Sequence, residues 1–173
     1  MGPLIRTLRG MTPEIEQPAF IAETAALIGN VKIGAESSIW YHCVLRGDGN
    51  YIHVGKRTNI QDGTIVHISG EHFPTTIGDD VTIGHAAIIH ACTIHDRALI
   101  GMGATVMDGT IVESEAVVAA GALVPPGKVV KSGQVWAGNP AKYHRDVRDS
   151  DLEFIDRVCQ HYWELAQEYL ARD

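Results

Sequence analysis

Aliphatic side chains return along this chain at a step of six: Ile21, Leu27, Ile33, Ile39 and Leu45, then Val54, Ile60 and Val66. The series resumes at Ile77, Ile83 and Ile89, and ends with Ile94, Ile100, Val106, Val112, Val118 and Val124. Four positions after each aliphatic the residue is nearly always small: Ser37, Cys43, Thr58, Thr64, Ala87, Thr93, Ala98, Ala104, Thr110 and Ala116 carry the pattern. Glycine often follows the aliphatic directly, as at Gly34, Gly55, Gly78, Gly84 and Gly101. Such a period predicts a solenoid in which each hexad is a short strand plus a corner. Three hexads close one turn of a triangular prism, with the aliphatics stacked inside and the small residues at the corners. Alternating strands in a sandwich would show period two and hairpin turns instead.

The register slips at three places. Leu45 to Val54 takes nine residues, Val66 to Ile77 eleven, and Ile89 to Ile94 five. The two long steps predict loops leaving a corner at 47–51 and 68–76, where function tends to gather on a rigid scaffold. Past Pro125-Pro126 the repeat fades, and Gly138-Asn139-Pro140 interrupts the chain. A helix is expected from about Ser150, with Ser150 and Glu153 as its capping box. Leu152, Ile155, Val158, Tyr162, Leu165 and Tyr169 give it an apolar stripe, which should lie along the outside of the prism and also suits contact with a neighbouring chain. The chain divides into an N-terminal extension (1–17), the solenoid (18–140) and a linker with the helix (141–173). Parallel crossovers are normally right-handed. Repeats of the form aliphatic-Gly-x-x-small-x, however, resemble the left-handed parallel β-helix, and the handedness follows from that resemblance. The fold class is therefore an all-β solenoid with a C-terminal α-helix.

Composition narrows the function. The 173 residues are 45% hydrophobic but only 6% aromatic, with 18 glycines, as an aliphatic prism with tight corners requires. A net charge of -7 without a Lys/Arg cluster excludes a nucleic-acid footprint. Three irregularly spaced cysteines, Cys43, Cys92 and Cys159, suit a reducing compartment. There is no apolar run long enough to span a bilayer and no signal-peptide core near the N-terminus. Arg6 breaks the myristoylation pattern. These features predict a soluble, cytoplasmic protein without a membrane partner.

The candidate chemistry lies in histidines. Treating each loop as part of the hexad it interrupts, the hexads at Leu45, Val66 and Ile89 share one face, and those at Ile60 and Ile83 share another. Arg46, His67 and His90 then form one outward column. Rungs about 4.7–4.9 Å apart let two stacked imidazoles converge on one ion. His85 and Gln61 project from the other face, so His85 would complete the set from a second chain, in a ring of prisms around a threefold axis. Three protein ligands plus an open position are the arrangement of a catalytic zinc site. If 68–76 formed a hexad of its own, His67 would share a face with His85 instead. A lone outward histidine on a solenoid is ordinarily a solvated residue, and His42, His53, His72, His95, His144 and His161 keep that reading.

The stretches Trp40-Tyr-His-Cys-Val-Leu-Arg-Gly-Asp48, Thr58-Asn-Ile-Gln-Asp62 ahead of His67, and Ile83-Gly-His-Ala-Ala-Ile-Ile-His90 resemble the γ-class carbonic anhydrase family. Gly138-Asn-Pro-Ala-Lys142 and the terminal helix match its bacterial branch, so the likeness runs over nearly the whole chain. The resemblance implies a homotrimer with zinc at each interface, iron or cobalt being able to substitute, held by His67 and His90 of one protomer and His85 of the next. It implies a lyase that hydrates carbon dioxide reversibly to bicarbonate. Gln61 corresponds to a glutamine beside the activated water, Asn59 to a polar residue near it, and Tyr162 to a pocket tyrosine on the helix. Arg46 and Asp48 correspond to a pair that ties protomers together, with Asp62 in the same network; on residue type alone that pair is a surface ion pair, and Tyr162 equally fits the packing stripe. The family's prototype carries shuttle glutamates in an acidic loop. Here Gly49 follows Asp48, and Glu71 and His72 of the short 68–76 segment are the residues available to relay protons, His72 having the more suitable pKa.

Two other readings are compatible with the sequence. One is a metal-bearing scaffold of the same family with negligible turnover. The other is a hexapeptide-repeat acyltransferase or thioesterase, to which His95 and Lys142 lend weak support; fold alone does not decide among these.

Overall fold

The structure, a computed structural model, describes residues 2–70 and 72–171. The chain winds into a parallel β-solenoid of about seven turns with one C-terminal helix. One face is an eight-stranded sheet running from Phe20–Ile21 to Ala141–Asp146; the other two faces join in a twelve-stranded sheet. They are joined by the strand Val44–Val54, which bends round a corner. Its first half pairs with Ile65–His67 and its second half with Thr75–Ile77. Within the stretch read as an N-terminal extension, Leu4–Arg6 and Glu14–Ile15 both pair in parallel with Ala26–Ile33.

The six-residue period is explained by the stacking. Ile39, Ile60, Ile83, Ile100 and Val118 stand in register on successive rungs, all fully buried. Burying apolar surface at this density is the main favourable contribution to such a prism. The small residue is tied to the next aliphatic, two positions ahead of it. At the five-residue step the corner place therefore falls to buried Cys92 and not to Thr93, which is only half-buried. Hydroxyls at these corners hold the rungs together. Thr58 Oγ1 donates to the Gly78 carbonyl at 2.7 Å and accepts from the Val81 amide at 3.0 Å. Thr64 repeats the pair with Gly84 and Ala87. Glycine follows the aliphatic where the rungs approach most closely: a Cβ at Gly101 would stand 2.4 Å from the Ala120 amide nitrogen.

Both predicted loops are smaller than expected. Residues 47–51 do not leave the strand, because Gly47 still pairs with Gly29 and Ile52 with Val31, so the insertion bulges opposite Asn30. The second segment is a tight turn closed by Ser69 and Phe73, after which Thr75 resumes the sheet. It adds no hexad, and this fixes the faces: His67 pairs with His90 in one sheet, while His85 follows Thr82–Ile83 in the other.

The helix spans Asp149–Leu170 and lies against the eight-stranded face, with Ile155, Cys159 and Ala166 innermost. Cys159 and Ala166 were not in the predicted stripe, because small residues let the helix approach the sheet. Phe20, Trp40, Tyr162 and Tyr169 fill the upper seam with ring centroids 4.9–5.6 Å apart. The helix starts earlier than predicted. Its N-cap is Arg148, whose amide donates to the Asp151 carboxylate at 2.8 Å, so Ser150 lies inside the first turn and Glu153 beyond it. Asp151 also takes two hydrogen bonds from Arg145. These bonds, Arg145 first, hold its carboxyl down at about 2. A depressed carboxyl stabilises the fold above its unfolded pKa of about 3.9, and that contribution disappears as pH falls through the folded value. Asp151→Asn is therefore expected to lower the melting temperature at neutral pH. The gap from wild type should close between about pH 4 and pH 2 in thermal scans followed by circular dichroism.

Candidate metal centre

His67 ends the strand Ile65–His67 and His90 ends Ile88–His90, and the two stand side by side in register. Each follows a fully buried aliphatic (Val66, Ile89), so strand alternation turns the imidazole outward. Arg46 is the next member of the column, paired with His67. The rings lie 5.2 Å apart between centroids, and His67 Nδ1 faces His90 Nε2 at 3.2 Å. Two nitrogens bound to one tetrahedral zinc at 2.0–2.1 Å would be separated by about 3.3 Å. Strand pairing places the two rings side by side, and their facing nitrogens stand at a separation that fits a shared ion.

The remaining ring nitrogens are taken by carboxylates. His67 Nε2 is 3.0 Å from Asp48 Oδ1, and His90 Nδ1 is 2.6 Å from Asp108 Oδ1. On the other face His85 Nδ1 is 2.9 Å from Asp62 Oδ2. A neutral imidazole that donates one N–H to a carboxylate presents the other nitrogen as a lone pair, which is how metal-binding histidines are held. Burial is the largest single influence on Asp48 and Asp108 and would raise both, but the hydrogen bonds from their histidines, joined at Asp48 by Arg46 and at Asp108 by Ser69, together outweigh it, and both carboxyls lie below their ordinary value. Both acids are therefore ionised acceptors.

His85 Nε2 meets the Tyr162 hydroxyl at 3.4 Å. Burial first, then the Asp62 charge, pushes that phenol above its ordinary pKa, so it stays an O–H donor. Gln61 lies on the same face, buried, and its Nε2 donates to Asn59 Oδ1 at 3.1 Å. Gln61, His85 and Tyr162 line a cavity of about 390 Å³, walled mostly by apolar groups including Met102, Phe154 and Val158.

The nine site residues predicted from sequence thus fall into two groups. Arg46, Asp48, His67 and His90 share one face; Asn59, Gln61, Asp62, His85 and Tyr162 share the other. Within the chain Arg46 forms an ion pair with Asp48, whereas Asp62 lies with His85. Among the described residues, no cluster of three His, Cys, Asp or Glu side chains within one chain is placed to hold a metal. His72 is exposed on its turn, and Glu71 lies outside the described residues. Asp108 is the residue that sequence reasoning missed. Rung counting stacks Met107 over His90 and so puts the next residue within reach of its ring, a signal open to anyone extending the column by one rung.

Residues 74–106 and 91–125 match the family described as the hexapeptide repeat of succinyl-transferase. The chain is 52% identical over 161 residues to Gamma carbonic anhydrase 2, mitochondrial, of Arabidopsis thaliana, a match covering 90% of this chain and 58% of that longer protein. It is 44% identical over 168 residues to a carbonic anhydrase of Geobacillus kaustophilus, covering 97% of this chain and 92% of that one. A solved putative acetyltransferase from Bacillus cereus superposes with a TM-score of 0.97 at 36% identity, with 100% of both chains covered. Fold and surface define a hexapeptide-repeat solenoid carrying paired imidazoles on one outer face. Within that class, the chain belongs to the γ carbonic anhydrase family.

Proposed function

We propose that this chain is a zinc-dependent γ-type carbonic anhydrase, catalysing reversible hydration of carbon dioxide at sites completed between copies of itself in a homotrimer. The observation that carries the reading is the facing pair His67 Nδ1 and His90 Nε2 at 3.2 Å, each ring held by its own carboxylate. Among the described residues that pair lacks a third ligand within the chain, and His85, held in the same manner by Asp62, is the third of its kind. A second copy is the natural source of it. Ile65 and Ile88 are exposed beside His67 and His90, while Met102 and Phe154 are exposed beside His85. Apolar residues flanking both half-sites suit burial against each other.

Zinc on three neutral imidazoles would supply a Lewis acid that makes water nucleophilic near neutral pH. The chain's own residues do the rest. Asp48, Asp108 and Asp62 fix the three tautomers. The apolar wall of the cavity admits a small uncharged molecule such as carbon dioxide and offers little to retain charged bicarbonate. Gln61 contributes a neutral polar group for orienting the attacking water, and Asn59 holds that amide. Tyr162 supplies an O–H donor next to His85. His72 is the exposed titratable group on the turn after His67 that can pass protons to buffer. Three buried free thiols suit a reducing compartment, in keeping with the cytoplasmic expectation.

The test is stopped-flow hydration of carbon dioxide by the zinc-loaded protein. Turnover should rise with pH through a midpoint near about 7, the value such a site gives its water. Full zinc occupancy with no hydration above buffer at any pH from about 6 to 9 would sink the enzyme reading and favour a metal-bearing scaffold. The likeness to a putative acetyltransferase supports a second reading, acyl transfer. Zinc content separates it from the first, because acyl transfer on this fold needs a base and a thioester groove and no metal.

A further inference from the structure

A file of buried polar side chains connects the C-terminal helix to Gln61. Cys159 donates its S–H to the Asp80 carbonyl oxygen at 3.1 Å. Its sulfur is 3.3 Å from Thr82 Oγ1. Asn59 Nδ2 donates to that same Thr82 oxygen at 2.9 Å, and Gln61 Nε2 donates to Asn59 Oδ1 at 3.1 Å. Gln61, Asn59, Thr82 and Cys159 are all buried, and among the described residues no buried side-chain nitrogen or oxygen lacks a partner.

The direction of this file is set at one end. A main-chain carbonyl oxygen can only accept. The thiol proton therefore goes to Asp80, and the sulfur is left as an acceptor. Thr82 gives its hydroxyl proton to that sulfur and keeps its lone pairs for Asn59. The Asn59 amide then turns its oxygen to Gln61, whose NH₂ is taken up in turn. Among the described residues no hydrogen bond takes Gln61 Oε1, and it is the end of the amide left for the cavity shared with His85.

The reverse sense is continuous between Thr82 and Gln61. The threonine proton would go to Asn59 Oδ1, Asn59 Nδ2 to Gln61 Oε1, and the glutamine NH₂ would face the cavity. The two senses differ in whether Thr82 gives its proton to the sulfur or to the amide. We propose that Cys159 is a positioning residue that sets the polarity of this file, so that Gln61 offers the site an acceptor oxygen and not a donor NH₂. Its kinetic consequence rests on the carbonic anhydrase reading. An acceptor receives a hydrogen bond from the attacking water and leaves a lone pair aimed at carbon, whereas an NH₂ group would compete for that lone pair.

The experiment combines steady-state kinetics on the zinc-loaded full chain with neutron diffraction from crystals of the zinc-free protein. Cys159→Ala removes the acceptor for the Thr82 proton. It should lower kcat on the order of tenfold, less than the 10²–10³ of deleting a direct transition-state donor, with KM and zinc content unchanged. Cys159→Ser keeps both a donor and an acceptor and should restore kcat. In a Gln61→Ala background, Cys159→Ala should cause no further fall, because both act through one group. Neutron maps should show Gln61 Oε1 toward the cavity in wild type and Cys159→Ser, and NH₂ there in Cys159→Ala. A wild-type amide with NH₂ toward the cavity, an unchanged amide in Cys159→Ala, or additive losses in the double variant would overturn the proposal. Absence of hydration in wild type would defeat the carbonic anhydrase reading alone, since the neutron maps decide the polarity without it.

Discussion

His85→Ala and His90→Ala are each expected to lose bound zinc entirely, and an equal mixture of the two, unfolded and reassembled together, should recover part of it. The reason is the division of the site between faces. His67 and His90 are neighbours on one sheet, while His85 follows a strand of the other. The His85→Ala chain retains an intact His67/His90 pair, and the His90→Ala chain retains an intact His85 with its Asp62. In a cyclic trimer every mixed assembly contains one interface at which the two intact halves meet. Random mixing then restores about one quarter of the wild-type zinc, because three quarters of the trimers are mixed and each regains one site of three. Metal analysis after gel filtration reads this directly. If all three ligands served one chain, the mixture would bind no more zinc than either variant, and the interface model would fail. Asp108→Asn provides a graded control. An amide still accepts from His90 Nδ1 but carries no charge, and disturbing such a partner costs 10–100-fold in metal affinity in comparable sites.

Most of this arrangement was legible in the sequence because a solenoid converts spacing into position. Once Ile60, Ile83 and Ile100 are seen to recur on one face, every residue between them has a place, and the column Arg46, His67, His90 follows by counting. What was not legible has physical causes. Insertions leave the register open until pairing closes it: only the resumption of the sheet at Thr75 shows that 68–76 adds no face. Caps depend on where the helix meets the sheet, and Arg145 recruiting Asp151 moved the start past the stronger local signal at Ser150. Interior polar files such as Gln61 to Cys159 join residues from 2 to 77 positions apart. No local pattern reports them, because they depend on the seating of the helix.

The largest stability effect expected is at the prism axis. Ile100 is fully buried and stacks in register between Ile83 and Val118. Its neighbours belong to closed parallel rungs, held by main-chain bonds such as Gly84 to the Ile100 carbonyl at 2.8 Å. Such a wall cannot collapse into a void without breaking its ladder, so truncation should leave most of its cavity behind. Ile100→Ala is therefore expected to cost about 2–5 kcal/mol, the range for a large aliphatic lost from a core that relaxes incompletely. Ile111→Ala is the matched control, removing the same atoms from a side chain that is 38% exposed on the outer surface. It should stay within about 0.5 kcal/mol, as surface changes usually do. Both are measured by denaturant unfolding at one fixed protein concentration, because assembly would couple stability to mass action. An unchanged slope with a shifted midpoint would assign the loss to the native prism. Equal costs at the two positions would mean that the rungs around Ile100 do not stack as described.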